Sequence, residues 1–182
     1  MSTDEAVVGR VLAGDREAYG ELVKRHQRVV YRHIRAMGID RDTTLDLVQD
    51  AFVRAYMRLS ECRDRAHFRA WAFRIARNLC LDHLKNVRRS MVPLSDLPGS
   101  EQLPDHASRT ATQLGEADIL RAALEHLPPT LRDAFLLRHD AGYSYDEIAA
   151  MTDASVSAVK MRVHRARESL RSFLDERGVH AA

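Results

Sequence analysis

Between Ser144 and Glu168 the chain reads SYDEIAAMTDASVSAVKMRVHRARE, and this stretch leaves the backbone little choice. Ser144 followed three residues later by Glu147 is a capping-box pattern, in which each side chain satisfies the other residue's orphan amide at a helix start. After Met151 the residues Thr152, Asp153 and Ala154 interrupt the apolar period, and Ser155 can cap a second helix. The apolar side of that helix is Val159, Val163, Ala166, Leu170 and Leu174, spaced by three or four, and it faces back toward Ile148 and Ala149. Two short helices locked by such a turn form a helix-turn-helix. Its turn carries Asp153 where such motifs commonly carry glycine, and aspartate tolerates a left-handed backbone better than most residues.

The second helix turns Ser157, Lys160, Met161, Arg162, Arg165 and Arg167 outward, with Ser155 and Ala158 at its start. Two readings of this face are open: the solvated side of an ordinary amphipathic helix, or a recognition helix entering a major groove. Small residues at the helix start with Arg and Lys behind them suit base edges followed by phosphates. We therefore expect duplex DNA contact from Ser155, Ser157, Ala158, Lys160, Met161, Arg162 and Arg165.

The rest of the chain is compatible with a helical setting for this motif. No β-alternating run of useful length occurs, and 45% hydrophobic with only 6% aromatic residues suggests an all-α protein. A chain of 182 residues has room for two small domains. The net charge of +2 conceals a segregated field. Residues 63–89 hold eight Lys or Arg against two acidic residues, while residues 90–118 hold five acidic residues against one Arg. Cys62 and Cys80 form no CxxC pair, which suits a reducing compartment. No apolar run approaches the length of a membrane span and no secretory pattern opens the chain, so a cytoplasmic location is expected.

In chain order, Ser2 and Glu5 form a candidate capping box for a first helix to Leu12, ended at Gly14. A second helix over about Arg16 to Met37 carries Tyr19, Leu22, Val23, Val30, Ile34 and Met37 on its core side, and Gly38 stops it. The third has Leu45, Val48, Phe52, Ala55, Tyr56 and Leu59 as its buried side. Its other side mixes Asp46, Gln49, Asp50, Val53, Arg54 and Met57, either a solvated face or a docking face with an apolar centre in a polar rim.

A polar hinge, Ser60 to His67, leads into a long helix from Phe68 to Arg88 or Arg89. There Phe68, Trp71, Ala72, Ile75 and Leu79 are expected to face inward, and Arg69, Arg74, Arg77, Asn78, Lys85, Arg88 and Arg89 outward. Such a basic surface, with Trp71 and Phe73 nearby, can hold a phosphate backbone and unstacked bases, although Trp71 fits a core position equally well. From Ser90 to Thr112 three of the five prolines and a run of acidic residues read as a flexible linker, whose length could reach on the order of 70 Å. Helices resume over Gln113 to Leu127 and Thr130 to Asp140, with Pro129 suited to a first turn.

Four fragments in this order, DLVQDAF (46–52), FRAWAFRIARNLCLDHLKNVRR (68–89), LPPTLRDAFLLRH (127–139) and SYDEIAAMTDASVSAVKMRVHRARESL (144–170), together resemble the extracytoplasmic-function group of bacterial sigma-70-type sigma factors. The resemblance covers roughly Tyr19 to Phe173. It implies a promoter-recognition subunit of core RNA polymerase with region 2 over residues 1–89, a linker over 90–112 and region 4 over 113–175. It implies polymerase contacts at Asp46, Gln49, Asp50 and Arg54. Capture of the melted −10 strand falls to Arg63, Arg74, Arg77, Asn78, Asp82 and Lys85, with the 60–67 loop as base pocket. The helix-turn-helix would read the −35 duplex. An anti-sigma factor is an implied partner, and the linker would thread the polymerase interior, where its acidic charge imitates RNA.

No nucleophile, base and stabiliser converge anywhere in the sequence, so no enzymatic activity and no cofactor are expected. Cys80 with His83 is at most half a metal site, and no metal is expected. The alternative is a stand-alone helix-turn-helix regulator that binds operator DNA unaided, normally as a dimer on paired half-sites.

Overall fold

The computed structural model describes residues 2–91 and 116–178, and within them every regular element is helical. The N-terminal part comprises α1 (Asp4–Leu12), α2 (Tyr19–Ala36), α3 (Arg41–Met57) and α4 (Phe68–Met91). The C-terminal part comprises α5 (Glu116–His126), α6 (Pro129–His139), α7 (Tyr145–Thr152) and α8 (Val156–Asp175). The all-α class is as expected. The linker over 90–112 lies outside the described residues apart from Ser90 and Met91, which extend α4.

The helix ends are set by local chemistry. Thr3, one residue beyond the expected Ser2, caps α1 by accepting from the Ala6 amide at 3.2 Å, and the Ser2 hydroxyl instead donates to Glu21 at 3.4 Å. The expected second helix divides into a single 3₁₀ turn at Arg16–Ala18, capped by Asp15, followed by α2. Asp40 caps α3 through the Thr43 amide at 3.0 Å. Pro129 occupies the first turn of α6, where its missing N–H costs nothing.

The apolar side of α3 is rotated from its expected position. Phe52, Ala55 and Leu59 are buried, but Leu45 and Tyr56 are 49% and 37% exposed, and Thr44 and Ala51 take the inner places. Thr44 tolerates burial because its hydroxyl donates to the Asp40 carbonyl at 2.6 Å.

Two clusters make the core. The smaller joins Val7, Val8, Leu22, Ala55, Leu59, Phe68 and Ala72, and holds α1 against the start of α4. The larger is continuous across both halves of the chain. It runs from Ile34, Met37, Phe52, Phe73 and Cys80 into Leu124, Leu127, Leu137, Tyr143, Ile148, Val159 and Phe173. Phe73 marks the join, edge-on to His33 at 4.9 Å and to Tyr143 at 5.4 Å. α4 is therefore buried on two sides, and only Phe68 and Ala72 of its five expected inward residues are fully covered.

Candidate protein-docking and nucleic-acid faces

The helix-turn-helix forms as its residues dictate. Ser144 and Glu147 close the capping box, with the Ser144 amide donating to Glu147 Oε2 at 2.7 Å and the Glu147 amide to Ser144 Oγ at 3.2 Å. The Ser144 amide first, and the Ser144 hydroxyl second, hold the Glu147 carboxyl below the usual carboxylate range. Asp153 makes the turn in the left-handed region at φ 51, ψ 46. Among the described residues it is the only non-glycine with positive φ. Ser155 then caps α8 through the Ala158 amide at 3.2 Å.

Val159, Val163, Ala166 and Leu170 are buried, with Phe173 rather than Leu174 as the final fully covered residue. The first two turns of α8 consequently present Ser155, Ser157, Lys160 and Met161 to solvent, with Arg165 one turn later and Ala158 and Arg162 half-buried beside them. Lys160 Nζ sits 5.7 Å from the Tyr145 ring centroid, which ties this face to α7. Arg167 is exposed as expected, and its Nη2 lies 3.1 Å from His139 Nε2.

On α3, Asp46, Gln49, Val53 and Met57 line one exposed side, Asp50 is half-buried beside them, and Met57 is 76% exposed. Asp50 and Arg54 form a two-bond ion pair, both contacts at 2.9 Å, one helical turn apart. An apolar strip flanked by carboxylates, one of them already fixed in place, is the anatomy of a docking patch.

The expected strand-binding residues divide. Arg63, Arg74, Asn78, Asp82 and Lys85 are exposed, Asp82 and Lys85 lying 3.8 Å apart. Arg77 is not outward: it is only 9% exposed, and its Nε donates to Asp133 Oδ2 of α6 at 2.6 Å. The 3.6-residue period explains this. Phe73, Ala76, Arg77 and Cys80 form a second stripe of α4 that carries the far half of the chain.

Three residues of this contact escaped the sequence reading. Asp133 and His33 are 1% exposed, and Arg132 is 8% exposed. Arg132 donates to the carbonyls of Met37, Glu125 and Leu127 at 2.6, 2.7 and 3.1 Å. His33 Nε2 lies 3.2 Å from Asp133 Oδ1 without hydrogen-bond alignment, so both ring nitrogens of His33 and that oxygen are unsatisfied, as is Arg132 Nε. Each such group costs roughly 1–3 kcal/mol. A signal was present: His33 sits inside the α2 apolar stripe, and Arg132–Asp133 is bracketed by Leu131, Phe135 and Leu136.

A cleft of about 590 Å³ lies between α4 and α7, lined by Arg54, Arg58, Arg74, Arg77, Asn78 and Asp82 on one side and by Ala150, Met151, Thr152 and Asp153 on the other. Both cysteines are buried and free, and burial pushes the Cys80 thiol up to about 12 and raises that of Cys62 as well, which makes both poor nucleophiles. Among the described residues no group of three or more His, Cys, Asp or Glu could hold a metal ion, and no helix is long and apolar enough to cross a membrane.

Comparison with known proteins finds two matched regions. The Sigma-70 region 2 family model matches residues 22–90, and the Sigma-70, region 4 model matches residues 117–170. The RNA polymerase sigma factor NccH of Alcaligenes xylosoxydans xylosoxydans is 32% identical over 178 residues, covering 95% of each chain. The ECF RNA polymerase sigma-E factor of Escherichia coli K12 is 35% identical over 178 residues, covering 92% of each. Among solved structures, CnrH in complex with the cytosolic domain of CnrY superposes with TM-score 0.73 at 29% identity, covering 96% of this chain and 99% of that one. The sigma factor RpoE in complex with the anti-sigma factor NepR, from Bartonella quintana, shares the fold at TM-score 0.67 and 23% identity, covering 86% of this chain and 96% of that one.

Proposed function

Since this chain belongs to the extracytoplasmic-function group of sigma-70-type RNA polymerase sigma factors, we propose that it binds core RNA polymerase, reads the −35 duplex with α8 and captures the melted −10 strand along α4. Residues 1–89 act as region 2, 113–175 as region 4, and 90–112 as the tether. The observation that carries the reading is the first half of α8. Its apolar stripe is wholly spent on the core, which leaves Ser157, Lys160, Met161 and Arg165 exposed on the opposite side, available to a ligand. Serines at the helix start and cations behind them match base edges and phosphates in that order.

Polymerase docks on α3 through Asp46, Gln49, Asp50 and Arg54 around Val53 and Met57. Opening a duplex costs a few kcal/mol per unstacked base, and capture of the freed bases offsets this. Arg63, Arg74, Asn78, Asp82 and Lys85 are exposed for that task, whereas Arg77 is held by Asp133. Two proteins of this fold occur with partners, CnrH with the cytosolic domain of CnrY and RpoE with the anti-sigma factor NepR, which supports an anti-sigma partner for this chain as well.

The test is a pull-down of bacterial core polymerase on the purified protein, followed by run-off transcription from a genomic fragment library. Polymerase binding with promoter-specific transcripts is the expected result. No polymerase binding, with tight salt-sensitive duplex binding by the protein alone, would replace this reading with that of a stand-alone regulator.

A further inference from the structure

α1 carries none of the residues assigned above to polymerase, strand or duplex, yet it packs on the one loop that strand capture needs in a fixed shape. Resting on that reading of the 60–67 loop, we infer that α1 is the positioning element of the −10 base pocket. Its apolar stripe is the floor that holds the loop, and Asp4 fastens α1 in place.

The floor is continuous. Val7, Val8 and Val11 of α1 are buried in one cluster with Leu59, Cys62 and Phe68, the two residues that flank the loop and one within it. Cys62 Sγ donates to the Asp64 carbonyl at 3.4 Å, and the 3₁₀ turn at Arg65–His67 packs against α1 without burying any of its own residues. Gly9 keeps this contact close, since a Cβ there would lie 4.0 Å from Arg65 Nη1. The loop is thus anchored from beneath while Arg63, Arg65 and His67 stay exposed. A loop that the strand itself has to order gives up part of its affinity to that ordering, and a loop ordered beforehand does not.

The fastening lies between α1 and α2. A helix of 9 residues is marginal in water by itself, so α1 depends on its ties. Asp4 Oδ1 accepts from Arg25 Nη1 at 2.9 Å, and Asp4 Oδ2 lies 2.7 Å from His26 Nε2, with all three side chains mostly buried. The His26 ring lies 5.8 Å from the ring of Phe68, where the loop ends. Asp4 therefore links the start of α1, the middle of α2 and the far end of the loop. Arg10 adds a second, more exposed tie to Glu21 at 2.8 Å.

Three variants of the full chain test this: Asp4→Ala, His26→Gln and the two combined, each shown to be folded by circular dichroism. In the free protein, amide exchange over residues 62–67 should accelerate in Asp4→Ala while that of α7 and α8 stays native. With core polymerase, and a promoter recovered by the run-off experiment, the affinities for polymerase and for the −35 duplex should be unchanged. Strand opening, followed by permanganate reactivity of the −10 thymines, should need roughly tenfold more Asp4→Ala holoenzyme, as for a loop in its competent shape about a tenth as often. Base substitutions in the −10 element should also cost Asp4→Ala less than they cost the native chain. The combined variant should lose less than the sum of the two single losses, because both cut the same tie.

Native exchange over 62–67, or native opening with native −10 discrimination by folded Asp4→Ala, would overturn the inference. Equal losses in polymerase, duplex and strand binding would overturn it too, since they would make α1 a general support. If exchange accelerates as expected while opening by the native holoenzyme is indifferent to −10 substitutions, the floor stands and the strand reading falls.

Discussion

α4 and α8 are both long helices with a basic face, yet they handle it in opposite ways. α8 places its core stripe and its basic residues on different sides, so that Val159, Val163, Ala166 and Leu170 are buried while Lys160 and Arg165 are exposed. α4 is gripped from two sides: Phe68 and Ala72 meet the N-terminal cluster, while Phe73, Ala76 and Cys80 meet the far half of the chain. Its cation Arg77 is caught between. A helix with one partner keeps its functional face independent of the rest of the fold, whereas a helix with two makes that face conditional on domain arrangement.

The sharpest way to break the comparison is to cut a large side chain from each grip of α4. Phe73→Ala should cost about 3–5 kcal/mol and raise amide exchange in α6 to α8 as well as in α2 to α4. Phe68→Ala should cost a similar amount and leave the exchange of α6 to α8 unchanged. Equal exchange patterns for the two variants would show that α4 has a single partner surface after all.

Next in size is Asp50→Arg. It should weaken core polymerase binding by about tenfold or more, the magnitude of a lost charge-assisted contact, with the melting temperature shifted little, because an exposed turn-spaced pair such as Asp50–Arg54 contributes only about 0.3–0.5 kcal/mol. Unaltered affinity in a fluorescence titration would remove α3 as the docking face. Arg165→Ala should lower −35 duplex affinity and reduce the slope of log K against log salt by about one, the mark of a single phosphate contact. An unchanged slope would return the α8 cations to mere solvation.

The smallest effect concerns the capping box. Because the Glu147 carboxyl is held below its ordinary range, its contribution is present above the unfolded value of about 4.3 and fades as pH falls through the folded value. Glu147→Gln should therefore melt slightly lower than the native chain near neutral pH, and the gap should narrow as pH falls below the ordinary carboxylate range. A gap independent of pH would mean that the carboxylate charge is irrelevant to the cap.

What could be read from residues alone follows the same contrast. Capping chemistry and a single apolar stripe fixed α7, the Asp153 turn and α8 almost residue by residue, because those signals are local. The starts of α3 and α6 were displaced by only a few residues or fewer. Arg77 was assigned to solvent because a cation on a helix is normally exposed, and the reason it is buried lies 56 positions away in Asp133. Leu45 and Tyr56 failed for a related reason: three apolar candidates competed per turn of α3, and tertiary packing chose Ala51, Phe52 and Ala55. Periodicity shows that a helix has a partner, but not how many.

Cys80 gives the molecule a native clock. Its thiol is fully enclosed beneath the seam between the two halves, whereas Cys62 is enclosed within the N-terminal cluster alone. An alkylating reagent added to the unmodified protein would thus report two separate events by mass spectrometry: capture at Cys80 would time the parting of the halves, and capture at Cys62 the local loosening of the first half. The ratio of the two rates would distinguish a chain that unhinges from one that merely breathes.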